Sequence, residues 1–530
     1  MVLLVDTIQT LWSYDNVWLT KACLACLASL LIWYALRLTH PHRPRLPPGP
    51  PRWPLLGNLP HIGHLPHRDI HHMFQCYGPI IFLKLGYHVN VVATDDPVIM
   101  REIMGKQDDV FSSRPRSIAT DFLCYYGHDL AFAPMGPHWK TLRRICMEHL
   151  LTSKRLLSYR RQRQEEVMLM VQEIFALSMQ GKVILLRKFL GAFSMNCITR
   201  MLLGKRFFGP AQSCRPEEAA RFEKIIHESM VLLGLFNIGD YLPILRPFDL
   251  QGYERRARKA FASVDALQSE LLNEHKLKKQ RGDEDGGTTN FIDVLLSLRE
   301  AGEEKLTDQT IKAIVQDVIA AGTDTSSATN EWAMAQLLRH PNVCKKAQEE
   351  LDRVVGRERL VEEEDLPQLR YLRCIAMETM RLTPSGPFVI PHYSTKDTQL
   401  AGYDVPKGTQ ILISIYSHAR NKKVWGKDAE VFYPERHWTD ETKIENSNGL
   451  DMKHVMFGGG RRRCPGAALG LNLVMLALGH LLQCFDWSLP PNVVEIDMSE
   501  VAGLAAAPAT PLQAIATPRL AIPLYNLPNP

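Results

Sequence analysis

The chain has 530 residues, of which 45% are hydrophobic and 22% charged, with a formal net charge of +5. That composition supports a filled globular core and excludes a disordered or fibrous chain, and so small a charge over this length excludes nucleic-acid binding as its main task. The 11 cysteines are odd in number and scattered without paired zinc-type spacing, which argues against a disulfide framework and for a reducing compartment.

Residues 17–36 hold an apolar stretch, uncharged from Ala22 to Leu36, whose length of about 20 residues is what a bilayer requires. Asp6 and Asp15 precede it while Arg37, Arg43, Arg45 and Arg52 follow, so the basic start of a cleaved signal peptide is missing. The positive-inside rule then leaves the N-terminus in the lumen and the body in the cytosol. The expected order is a lumenal N-terminus over 1–16, a single-pass transmembrane anchor over 17–36, a basic and proline-rich hinge over 37–58 and one large domain over 59–530. Cys23-x-x-Cys26 falls within the anchor, a poor place for a redox or metal site. Consecutive prolines in Leu46-Pro47-Pro48-Gly49-Pro50-Pro51 make a semi-rigid extended spacer.

Strand-like runs occur at Ile80–Leu83, 89–92 and 409–413, and helical patterns dominate elsewhere, which predicts a mainly α fold with small β-sheets. Trp139-x-x-x-Arg143 reads, taken alone, as an amphipathic helix with a surface arginine. Charge blocks and glycines from Lys276 to Asn290 read as a flexible surface loop.

The run from Thr307 to His340 reads as one helix about 50 Å long, with Thr307 or Asp308 as N-cap and Pro341 beyond its end. Its centre, Ala321-Gly322-Thr323-Asp324-Thr325-Ser326, is poor helix-interior sequence. Local rules broken inside an element mark function, and the plain alternative is a helix with back-bonded hydroxyls. Further on, Glu378-Thr379-Met380-Arg381 sets an acid and a base on one helix face inside the apolar stretch YLRCIAMETMRL, with Pro434-Glu435-Arg436 following. Alone, such a pair is a solvated surface ion pair of little worth.

The most specific segment is Phe457 to Gly466 (FGGGRRRCPG), where Phe457, Gly460, Arg462, Cys464 and Gly466 fill F-x-x-G-x-R-x-C-x-G. A thiolate on haem iron favours O–O cleavage of bound dioxygen, so Cys464 reads as the iron ligand. Glycines allow close backbone approach, and Arg462 offers a permanent cation to a haem propionate. The run after Pro465 reads as an apolar helix whose N-terminal dipole faces the sulfur. A buried structural cysteine, a basic patch over Arg461 to Arg463 or a plain glycine turn would not require all five positions.

With those five positions filled, the chain resembles the cytochrome P-450 superfamily of haem-thiolate monooxygenases. The resemblance implies haem b as cofactor, with Phe457, Trp139, Arg143, Arg462 and His392 around it and Gly322 making room for dioxygen. Asp324 and Thr325 would pass protons, and Glu378, Arg381 and Arg436 would form a buried structural triad. It also implies a microsomal flavoprotein reductase delivering electrons from NADPH, docked on a face to which Arg143, Arg144, Arg461 and Arg463 contribute, and an endoplasmic reticulum membrane location. Motifs spread from Trp139 to Gly466 must meet at one cofactor, so they imply a single domain.

Phe111-Ser112-Ser113-Arg114-Pro115, Asn330-Glu331-Trp332 and Phe291 to Leu296 resemble the plant branch. The segments APMGPHWK from Ala133, RRICMEHLLT from Arg143, GAFSMN from Gly191, RMLLGKRFFGP from Arg200 and GPFVIPH from Gly386 are similar to the land-plant family that hydroxylates medium-chain fatty acids, typically lauric acid, at in-chain carbons. That family serves sporopollenin and the pollen or spore wall. The pocket positions so implied are Phe122, Val318, Ala321, Phe388, Val389 and Leu504, the last in the alanine-rich VAGLAAAPAT, with Arg116 or His128 as possible holders of a carboxylate. Apolar residues there equally suit a terpenoid or phenylpropanoid. A hydroperoxide rearranging enzyme or a non-catalytic haem protein would not need Asp324 and Thr325, and an anchored interaction protein without haem would not need Cys464 and Arg462.

Overall fold

The computed structural model describes residues 44–209, 215–282, 290–303, 305–438 and 452–526, with Lys21, Leu24 and Ala28. Apart from those three positions, the anchor expected over 17–36 lies outside the described residues.

The helices that position the site are α1 (Pro66–Tyr77), α2 (Pro137–His149), α3 (Leu186–Leu203), α4 (Pro216–Gly234), α5 (Tyr253–Arg281), α6 (Asp308–Arg339), α7 (Arg370–Leu382) and α8 (Ala467–Cys484). Thr307 caps α6 by accepting the Thr310 N–H at 3.2 Å, and the helix stops at His340 because Pro341 cannot continue it. α6 runs through the main apolar core, which α2, α3, α7 and α8 also enter. α8 is apolar on nearly every side and passes a length-and-composition test for a membrane span. It is nonetheless a core helix, its residues buried from Leu473 to Cys484.

A four-stranded sheet lies to one side, ordered β1 (Ile80–Leu85), β2 (Val89–Thr94), β4 (Gln410–Ile413), β3 (His392–Tyr393). β1 and β2 are antiparallel, β2 runs parallel to β4 with Val92 beside Ile411, and β3 is antiparallel to β4 with His392 beside Ile411. The three strand runs read from the sequence thus share one sheet, and that sheet aims His392 into the core.

Two local readings change. The proline-rich spacer lies along β1: Phe82 N–H donates to Pro48 O at 2.8 Å, and a Cβ on Gly49 would fall 2.2 Å from Phe82 O. Lys276–Arg281 is the end of α5 rather than a loop, and 283–289 lie outside the described residues. Cations suit a helix C-terminus, Lys276 and Lys279 pair with Asp308 and Glu300, and Gly282 at φ 71° ends the helix.

Candidate active site

Cys464 sits at the end of a tightly folded loop that leads into α8. Its N–H donates to Phe457 O at 2.9 Å. Gly460 adopts φ +61°, and a Cβ there would lie 2.2 Å from Met104 O, so both conformation and space demand glycine. The sulfur is accessible to solvent yet closely surrounded by protein, the condition of a group on the floor of a cavity. Burial pushes the thiol above its ordinary value, against the Gly466 N–H at the start of α8 and the charges of Arg143 and Arg463. Burial thus disfavours the free thiolate, and a metal bound here would ionise the thiol itself.

Across this cavity runs α6. Ala321 is exposed although it lies mid-helix in the core, between stretches that are mostly buried. Thr325 Oγ1 donates to Ala321 O at 2.6 Å. A cleft whose lining does not include Cys464 is bordered by Thr325, Ser326 and Thr329 of α6, by Met456 and Phe457 before the cysteine loop, and by Val474 of α8. The helix continues through the motif as α-helix. Gly322 is used differently from the expectation that it makes room for dioxygen: a Cβ there would fall 2.7 Å from Ile198 Cδ1, so the missing side chain admits α3. Asp324 is 25% exposed and faces His227 of α4 at 3.9 Å.

Arg114, Arg143 and Arg462 gather near one another, with Asp108 and Asp129 among their neighbours. Arg462 is buried, stacks over Trp139 at 4.3 Å, and donates to Ser112 O at 2.7 Å and Ala133 O at 2.5 Å. Arg114, also buried, donates to Ala131 O at 3.0 Å and Ile390 O at 2.6 Å. Burial lowers both guanidinium pKa values, Arg462 to about 10. His392 is 1% exposed; its Nδ1 lies 3.0 Å from Phe111 O, while Nε2 has no partner among the described residues. Its pKa is pushed far down by burial and by Arg114. Trp139 Nε1 donates to Leu130 O at 3.0 Å, and half-buried Arg143 lies within Coulombic reach of Cys464. Buried cations and an orphaned imidazole nitrogen beside a recessed cysteine fit a haem, whose iron takes the thiolate and whose propionates take the donors.

The predicted triad is assembled. Glu378 Oε2 accepts from Arg381 Nε at 2.7 Å, and its Oε1 accepts from Arg381 Nη2 at 2.8 Å and Arg436 Nε at 2.9 Å. Sequence reasoning missed a fourth member, His437, whose Nε2 lies 2.9 Å from Glu378 Oε2. Burial alone would raise the Glu378 carboxyl, but hydrogen bonds from Arg381 and His437 and their charges hold it down at about 2.

Also missed was a pair of buried acids that orders the loop before α2. Asp317, two turns before Thr325 on α6, accepts the N–H groups of Leu130 at 2.6 Å and Ala131 at 3.0 Å, and Asp129 accepts that of Phe132 at 2.8 Å. The carbonyls of the same loop receive Arg114, Arg462 and Trp139. Asp317 had a sequence signal, a lone acid in an apolar stretch of helix; Arg114 was visible only inside a family-like segment.

The pocket positions do not form one cluster. Phe122 packs with α4 and α5, Phe388 with α1 and the sheet, Val389 with the cluster around Met100 and Ile413, and Val318 and Leu504 against the main core. The alanine-rich segment is pinned by its backbone: Leu504 N–H donates to Met230 O at 3.1 Å, Ala506 N–H to Ser385 O at 2.7 Å, and Trp332 Nε1 to Ala506 O at 3.0 Å. Arg116 is an exposed residue paired with Asp121 at 2.7 Å, while His128 lies beside His138 with ring centroids 5.4 Å apart. Of the surface cations, Arg144 pairs with Glu148 and Glu303, and Arg461 with Asp108.

A family model described as cytochrome P450 matches residues 47–513. The protein described as cytochrome P450 703A2 from Arabidopsis thaliana is 49% identical over 501 residues, covering 94% of this chain and 97% of its own. The flavonoid 3'-monooxygenase of Petunia hybrida is 38% identical, covering 91% of this chain and 93% of its own. Among solved structures, a zebrafish cytochrome P450 studied with abiraterone superposes with a TM-score of 0.71 at 26% identity, covering 86% of this chain and 100% of that one.

Proposed function

Because the chain belongs to the cytochrome P450 family, and so is a haem-thiolate monooxygenase similar to plant hydroxylases, we propose that it hydroxylates a medium-chain fatty acid such as lauric acid at an in-chain carbon. What supports this reading is the side-chain chemistry of six positions that the family resemblance assigns to the substrate and that lie in separate packing clusters of the fold. Phe122, Val318, Ala321, Phe388, Val389 and Leu504 offer no hydrogen-bonding side chain, which suits an alkyl chain. A site for a polyhydroxylated aromatic gains its discrimination from buried polar partners. The second reading, a phenylpropanoid or flavonoid substrate, draws on the 38% identity to the flavonoid enzyme.

The bound haem supplies dioxygen activation, with electrons from NADPH through a flavoprotein reductase. Cys464 would hold the iron; Arg462, Arg114, His392 and Arg143 would face the propionate edge, with Trp139 stacked beneath Arg462; Thr325 and Asp324 present a hydroxyl and a carboxylate from α6. The role of these side chains is to bind, orient and move protons, and the apolar pocket walls exclude water and select the carbon exposed to attack. The protein works, in this reading, at the endoplasmic reticulum membrane with its catalytic body in the cytosol, and its product enters sporopollenin of a pollen or spore wall.

The test is a difference spectrum of the anchored holoprotein titrated with lauric acid, other lipophilic acids and phenolics. A saturable low-spin to high-spin shift with lauric acid supports the reading. A shift with aromatic or terpenoid ligands alone overturns the substrate and keeps the family.

A further inference from the structure

The acid of the α6 motif has a neighbour that the family chemistry does not require. His227 stands on α4 with 67% of its side chain exposed, and its Nδ1 lies 3.9 Å from Asp324 Oδ2. At that separation the two are an ion pair, and direct proton transfer requires them to approach to about 3.2 Å or less. Asp324 is itself 25% exposed, so water reaches its carboxylate. Thr325, the next residue, lies about 100° around the helix and borders the cleft toward α8. The two residues therefore point in different directions from α6, and a proton passed on by Thr325 can be replenished at Asp324 from the solvent side.

We propose that His227 is the group through which Asp324 is reprotonated from solvent. The imidazolium gives its Nδ1 proton to Asp324 Oδ2, leaving neutral imidazole and a neutral carboxyl, and the exposed ring regains a proton from water. Since it acts through Asp324 and not on the reacting atoms, His227 is a positioning residue. The inference rests on the monooxygenase reading of Asp324 above.

The charges around His227 favour its protonated form, the form that can donate. Contact with Asp324 raises the His227 pKa above 6.5, outweighing burial; Glu223 on the same helix raises it further and Arg187 of α3 lowers it. Lys188 faces Glu223 and draws its carboxyl down, while Asp324 and burial push it up. Arg187 is engaged with Glu331 at 2.7 Å. An imidazole with a pKa near the working pH is the most efficient side chain for such a transfer.

The test uses full-length holoprotein with whichever ligand gives the spin shift. Histidine-selective NMR of the diamagnetic ferrous carbon monoxide form reads the His227 pKa directly, with the resonance assigned by its loss in His227→Gln. Asp324→Asn should lower that pKa; no change overturns the contact. His227→Gln should cut product formed per NADPH at least 3-fold and raise the solvent deuterium isotope effect on turnover. His227→Lys keeps the ion pair but binds its proton too tightly to relay it, so it should not rescue. Rescue by lysine, or wild-type coupling and isotope effect in His227→Gln, overturns the relay. Full coupling in Asp324→Asn overturns the reading of Asp324 itself, a distinct outcome.

Discussion

Arg381 forks onto Glu378 one helical turn away on α7, Nε to Oε2 at 2.7 Å and Nη2 to Oε1 at 2.8 Å, with neither side chain more than 1% exposed. The arginine also donates to the carbonyls of Ala419 and Ala429, so one buried pair ties α7 to the chain that precedes the cysteine loop.

Glu378→Gln leaves Arg381 buried without its counter-charge, a change that costs about 3–5 kcal/mol. The expected result is a lowered urea midpoint and poor haem retention. The acid dependence has a definite sign. A carboxyl held at about 2 against an ordinary 4.5 stabilises the fold fully above pH 4.5 and loses that contribution as pH falls through 2. Urea melts at several pH values should show the gap between wild type and Glu378→Gln narrowing in that window.

Asp95 has the opposite sign. It is 7% exposed, Oδ1 has no partner among the described residues, and burial with Asp96 alongside pushes its pKa up to about 7 from 3.8. Stability is highest below the lower value and is lost as pH rises through the upper one. Asp95→Asn should therefore stabilise at pH 8 more than at pH 4, by up to about 4 kcal/mol, read from thermal melts at the two pH values.

Gly322→Ala would press a Cβ to 2.7 Å from Ile198 Cδ1. Overpacking of this kind costs about 1–3 kcal/mol, and Ile198→Val, which removes the Cδ1 methyl but leaves Cγ1 at 2.9 Å from the same Cβ, should restore part of it. If the double variant is no more stable than Gly322→Ala alone, α3 is not what the glycine admits.

Gly234→Ala would place a Cβ 2.0 Å from Gly503 C and 2.1 Å from Leu504 N, so α4 and the alanine-rich segment must separate. A loss of about 1–3 kcal/mol should come with a changed spin-shift affinity, because Leu504 moves with its segment. An unchanged titration would detach Leu504 from the pocket.

Thr325→Ala removes the hydroxyl that Ala321 O now receives at 2.6 Å. It should keep the haem spectrum and release peroxide in place of product. Normal product per NADPH would remove Thr325 from proton delivery.

Much of the site was legible because its chemistry is written in short, local patterns. The cysteine loop needs glycine at 460, where φ is +61°; α6 needs a cap at Thr307 and a stop before Pro341; the Glu378 and Arg381 pair is one helical turn apart. Each requirement is met within a few residues of chain, so a sequence displays it. Lys276–Arg281 was misread because charge blocks look alike in a loop and at the cationic end of a helix, and only the facing Asp308 and Glu300 settle which.

What the sequence determined by itself was the tight glycine-bearing loop around Cys464, the long central helix, three strand runs and the acid–base pairing on α7, all set by local covalent geometry and by periodicity. Only the tertiary structure decided that His437 completes the triad, that Asp317 holds a loop 187 residues away by its amides, that Gly322 serves α3 and that His227 faces Asp324. These are meetings between distant segments, created when burial of apolar surface brings helices together, and nothing in the local pattern of either partner encodes the other.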